Sequence, residues 1–141
     1  MNYYVTSYIG VGDIKFGMSR NDVRNALRSE PFVFQRFEGY EPEDRFNDLG
    51  VYVYYNKQGE CTAVEMALPA SPVFEGKSLL ETSFSELART FKSLDVEVEL
   101  DNSGLTSFKY GIGLYAPLLK DYPNYPPEAA IVFERGYYGA K

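Results

Sequence analysis

Between Ser19 and Pro31 the apolar residues Val23, Ala26 and Leu27 recur at spacings of three and four, which lays them on one face of a helix. Ser19 offers an oxygen to the unpaired amides of the first turn, Asp22 places an acid there, and Pro31 forbids continuation, so the spacing predicts a helix over 20–28. The same grammar returns at Ser83-Phe84-Ser85-Glu86, a capping box. The stripe Leu87, Ala88, Phe91 and Leu94 behind it predicts a helix over 84–94. Elsewhere the pattern shortens to period two or to β-branched and aromatic runs, predicting strands at 49–55, 61–67, 96–100, 107–115 and 129–134. Asn56–Gly59 and Asp101–Gly104 read as tight turns, and the segments 12–17 and 73–76 read as extended lead-ins to the two helices. Phe32, Phe34 and Arg36 alternate with Val33, Gln35 and Phe37 as a strand might, while Glu41–Asp48 and Pro117–Pro127 read as loops.

A capped helix followed by a hairpin-like pair thus occurs twice. Phe46, Gly50, Tyr55 and Cys61–Met66 can be laid against Phe108, Gly111, Tyr115 and Ala129–Phe133, with a longer loop in the second hairpin. The expectation is a single domain over 1–141 with two pseudo-repeated halves, about 10–69 and 72–138. Its fold class is α+β: a mostly antiparallel sheet with two main helices packed on one face.

Composition narrows the chemistry. The chain of 141 residues has 45% hydrophobic and 24% charged residues, as ordinary folded domains do. It contains no histidine, which excludes Ser-His and Cys-His nucleophile pairs and histidine-bearing zinc sites, and one cysteine excludes a thiolate zinc cluster. Cys61, alone and inside an alternating run, reads as a core residue. The net charge of −6 disfavours a nucleic-acid backbone as partner and favours basic proteins. No run of 18 apolar residues and no leader-like start is present, so a cytoplasmic location without membrane attachment is expected.

Three groups of side chains are candidates for contact. Asp95, Glu97, Glu99 and Asp101 alternate with Val96, Val98 and Leu100, which on a strand makes a ladder of four carboxylates on one face, suited to a basic partner or to guarding an edge strand. Glu41, Glu43, Asp44 and Asp48 form an acidic loop, a second contact candidate and the only place where a carboxylate-dependent, magnesium-using hydrolase could be imagined. Tyr122 and Tyr125, like Tyr137 and Tyr138, lie in Pro- and Gly-rich segments, where exposed rings anchor protein contacts, although each ring taken singly suits core packing better. Gly10-Val11-Gly12 and Gly111-Ile112-Gly113 lack the third glycine of a dinucleotide fingerprint and read as strand or turn glycines.

The stretch Ile14 to Pro31, through Gly17, Met18, Ser19, Val23, Leu27 and Pro31, resembles the helix-opening motif of small bacterial domains related to β-lactamase inhibitory protein and to outer-membrane assembly lipoproteins. It differs from them in having no lipid-attachment cysteine and in Arg28-Ser29-Glu30 standing where the family usually places glycine before proline. In size and acidity the chain also resembles immunity proteins that neutralise toxin nuclease domains. These resemblances imply a tandem helix-plus-sheet fold and a non-enzymatic inhibitor of a basic protein, possessing no cofactor and acting by occlusion. The alternatives are the hydrolase at Glu41–Asp48 and a plain scaffold or oligomerisation domain.

Overall fold

In Val51–Tyr55 the residues Val51, Val53 and Tyr55 are buried while Tyr52 and Tyr54 between them are only partly so, and this alternation is the local rule from which the molecule is built. A computed structural model, describing residues 1–139, extends it over thirteen strands in two sheets among the described residues. The first half contributes β1 (Asn2–Thr6), β2 (Gly10–Val11), β3 (Ile14–Lys15), α1 (Arg20–Leu27), β4 (Phe32–Phe34), β5 (Glu43–Phe46), β6 (Val51–Tyr55) and β7 (Cys61–Met66). The second contributes β8 (Ser71–Phe74), β9 (Lys77–Ser78), α2 (Phe84–Leu94), β10 (Glu99–Asp101), β11 (Gly104–Ser107), β12 (Ile112–Tyr115) and β13 (Ala129–Phe133).

The larger sheet has eight strands in the order β10-β11-β12-β13-β7-β6-β5-β4, antiparallel throughout. Two four-strand meanders therefore meet at β7 and β13, where Val64 faces Val132 and Met66 faces Ala130. The smaller sheet runs β3-β2-β1-β8-β9, and its centre is a parallel pair, Asn2 with Ser71, Tyr3 with Pro72 and Tyr4 with Val73.

The expected α+β arrangement of two main helices on one mostly antiparallel sheet is overturned. The molecule is sheet-rich with two sheets, its α-helix is confined among the described residues to α1 and α2, and the smaller sheet shares the covering of the larger one. The sequence does not announce this second sheet, because β2, β3, β8 and β9 are too short to show a period and β1 pairs with a distant segment. Asn2 and its partner Ser71 lie some seventy positions apart. The long strand expected at 107–115 is two strands, β11 and β12, joined by a turn, and the acidic loop expected at Glu41–Asp48 contains β5.

Each helix starts as its cap residues dictate. Ser19 Oγ accepts the Asp22 amide at 3.1 Å and Ser83 Oγ accepts that of Glu86 at 3.2 Å. α1 ends on Arg28, whose φ of 52° is the left-handed conformation that glycine ordinarily supplies at this place. α2 ends on Asp95, and its last carbonyl, Leu94 O, accepts the Lys109 ammonium at 2.9 Å.

The core forms two clusters on one side of the large sheet. Val23 of α1 joins Tyr3, Val11 and Ile14 of the small sheet over Val51, Val53, Val64 and Val132. Phe84, Leu87 and Phe91 of α2 join Phe74 over Leu105, Ile112, Leu114 and Ala130. Val5 touches both clusters. Cys61 is fully buried, and burial pushes its thiol up to about 12. No helix among the described residues is long and apolar enough to cross a membrane.

Gly50 leads into β6 with φ of +70°, and a Cβ there would stand 2.0 Å from the Ala67 carbonyl oxygen. Gly50→Ala is therefore expected to lower stability by about 2–4 kcal/mol, read as a fall in the urea midpoint at unchanged slope.

Candidate functional site

Strand pleating sends neighbouring residues to opposite faces, so the burial of Val53, Val64, Val132, Ile112 and Leu105 on one side turns their neighbours to the other. The register then writes a row across all eight strands: Glu99, Thr106, Gly113, Ile131, Glu65, Tyr52, Arg45 and Phe32, each opposite the next. Beside it runs a shorter row of Asp101, Gly104, Tyr115 and Ala129. Neither helix nor the small sheet contributes to this face, since all three are packed on the other.

The open face is graded. Its β10 end carries Glu99 and Asp101, its centre Ile131 and Glu65, and its β4 end Arg45 with the guanidinium carbon 3.8 Å from the centroid of Phe34. After β13 the chain folds back so that the rings of Tyr137 and Tyr138 lie 6.0 and 5.0 Å from that of Phe133. On one side of this aromatic pair is a hollow of about 320 Å³ bounded by Glu65, Asp101, Gly113, Tyr115, Ile131 and Tyr138, with no Lys or Arg in its wall. On the other is a hollow of about 550 Å³ between Arg36, Glu43, Tyr54, Thr62 and Tyr137. Gly113 leaves the floor of the first hollow open, and a Cβ there would come within 2.9 Å of Ile131 Cγ2.

The polar groups of the face are tied down. Tyr54 donates its hydroxyl to Glu65 Oε1 at 2.5 Å, and burial followed by this bond holds the phenol far above its ordinary ionisation range. Burial likewise pushes the Tyr137 phenol up to about 12. Glu43 accepts Arg36 Nε and Arg45 Nε, each at 3.1 Å.

The structure scatters the residues expected to bind a partner. The four-carboxylate ladder does not form. Asp95 is only 4% exposed, its carboxylate taking the Glu97 amide at 3.0 Å and the Ser107 hydroxyl at 2.8 Å, and the turn it closes leaves Val96 94% exposed. Glu97 is exposed in that turn, and of the ladder only Glu99 and Asp101 share the open face. Asp101 also accepts the Ser103 amide at 2.8 Å, which holds its carboxyl below the usual range.

The acidic segment is not a loop of free carboxylates either. Glu43 and Asp44 are buried on β5 and point to opposite faces, Glu43 to the open one and Asp44 to the core. Asp44 receives Arg24 through two bonds of 3.0 and 2.8 Å and the Tyr55 hydroxyl at 2.9 Å. Both acids are engaged by arginines of the same chain, and their side chains diverge to opposite faces of β5. Glu41 lies 3.7 Å from Arg20. Tyr122 and Tyr125 stack on each other at 4.7 Å, half exposed, in a loop whose Pro123 and Tyr125 carbonyls accept the Ser85 and Phe84 amides of α2. They stand with the helix layer, away from the open face.

Sequence reasoning missed Glu65, Tyr115, Ile131 and Tyr52. The available signal was parity, since each alternates with buried aliphatic residues. No protein-family model, no curated protein and no solved structure matches the chain.

Asp44→Ala strands a guanidinium and a phenol against the core and is expected to cost about 3 kcal/mol, measured by urea unfolding. Tyr54, Tyr55 and Tyr137 ionise later in the folded chain than in the unfolded one. Their contribution to stability is complete below the unfolded value near ~10 and is lost as pH rises beyond it. Unfolding midpoints should fall between pH 10 and 12, and tyrosinate absorbance should show a late-titrating class that merges with the rest in urea.

Proposed function

We propose that the chain is an acidic protein-binding domain that receives a basic protein surface on the open face of the eight-stranded sheet. In its sharpest form it is a cytoplasmic immunity protein that neutralises a nuclease-type toxin by covering the cations that toxin uses for phosphates. The observation that carries this reading is the uncovered face itself, where Asp101 and Glu65 line, with half-exposed Tyr115 and Tyr138, a hollow without a basic residue, and Glu99 shares the same face on β10. A single-sided sheet of this extent presents a large, rigid contact area, and tyrosines supply apolar anchors at low entropic cost. The net charge of −6 steers a cationic partner toward it, an effect that raises association rates by 10–10³-fold, as an order of magnitude, and fades with salt. The reading assigns the chain no reaction; its mechanism is steric and electrostatic occlusion.

The test is kinetic, on a partner protein purified with the chain. Glu99→Lys is expected to slow association about tenfold and flatten its salt dependence, whereas Tyr115→Ala should speed dissociation about tenfold. Asp121→Lys, an equal charge change beside the helix layer, should do much less. Association and dissociation unchanged in both open-face variants would sink the proposal.

A further inference from the structure

The two edges of the large sheet are treated differently. β10 carries Glu99 and Asp101, inserted charges of the kind that discourage another strand from adding on. β4 at the far edge is Phe32-Val33-Phe34, with Phe32 59% and Val33 50% exposed, and exposed Phe37 and Tyr40 follow it. A terminal strand that presents this much apolar surface is a template for strand addition.

The residues around it are arranged for a copy of themselves. Antiparallel pairing of two β4 strands about a two-fold axis at Val33 places Val33 opposite its twin, Phe32 opposite the second copy's Phe34, and Glu30 opposite the second copy's Arg36. By symmetry the aromatic and ionic pairings each occur twice. Phe32 and Phe34 stand on the open side, and Glu30 and Arg36 flank the strand as exposed charges, Arg36 half exposed and also holding Glu43 through its Nε. The sequence Glu30-x-Phe32-x-Phe34-x-Arg36 is thus self-complementary in both charge and apolarity, the property a two-fold interface requires. We infer that β4 is a homodimerisation edge, through which two copies join their eight-stranded sheets into one continuous sheet. This surface is distinct from the acidic end of the open face, and it stands whether or not a basic protein docks there.

Two copies of net charge −6 repel at long range, so salt should strengthen the dimer, the opposite of its effect on a cationic partner. Sedimentation of the full chain across concentration is expected to show a reversible monomer–dimer equilibrium, tightened by sodium chloride. Val33→Lys should leave a monomer with an unchanged circular dichroism spectrum. Glu30→Arg and Arg36→Glu, the second also removing the Arg36–Glu43 pair and so checked for an unchanged fold by circular dichroism, each turn two attractive pairs into repulsive ones and should each weaken self-association roughly tenfold, while an equimolar mixture of the two restores both attractive pairs and should dimerise again. A chain that stays monomeric at all concentrations overturns the inference. So does a dimer indifferent to Val33→Lys, or a mixture of the charge variants no more associated than either alone.

Discussion

The antiparallel pairing of β7 with β13 is the constraint on which the rest of the molecule depends. It sets Val64 against Val132 and Met66 against Ala130 on one face, and by the same act sets Glu65 against Ile131 on the other. Because strand side chains alternate with period two, a slip of one residue at this joint would exchange the buried and the open faces of half the sheet. Everything that follows in each direction, from β6 to β4 and from β12 to β10, inherits its facing from this pair.

Once one face is apolar it must be covered, and the chain covers it with two short helices and a second sheet. In each half one of the buried carboxylates helps fasten helix to meander. Asp44 of β5 holds Arg24 of α1, and Asp95 at the end of α2 holds Ser107 of β11. Both acids are desolvated, and buried charge is tolerated only where its oxygens are satisfied, which the bonds to Tyr55 and to the Glu97 amide accomplish. The same two residues therefore cannot offer charge to a partner, whatever their place in an acidic run.

With the helices and small sheet all on one side, the opposite face is left to solvent, and its composition is uneven in a useful way. Carboxylates gather at β10 and arginine with phenylalanine at β4, so the two ends of one surface differ in the chemistry they can recognise. The fold-back of Tyr137 and Tyr138 breaks the surface into two hollows of different character, one whose only charged lining residues are the acids Glu65 and Asp101 and one that mixes Arg36 and Lys57 with Glu41 and Glu43. Rigidity comes from hydrogen-bonded strands beneath, and specificity from which side chains stand above them.

Local signals in the sequence determined both helices, because a stripe at spacings of three and four with a serine cap needs no distant partner, and they determined β6, β7 and β13 from their alternation and β-branched content. They also contained Glu99 and Asp101 as same-face acids. Only the tertiary structure decided that Asp95 turns inward and that Glu43 and Asp44 are consumed by arginines, since the partners Ser107, Arg36 and Arg24 lie 12, 7 and 20 positions away. Only it decided that the lead-ins assemble a second sheet, because β1 finds β8 through backbone bonds that leave no periodic trace. Parity in the strands separates Glu65, Tyr115 and Ile131 from their buried neighbours, but whether that second face is covered or open depends on where the helices settle. That choice is made by the whole chain at once.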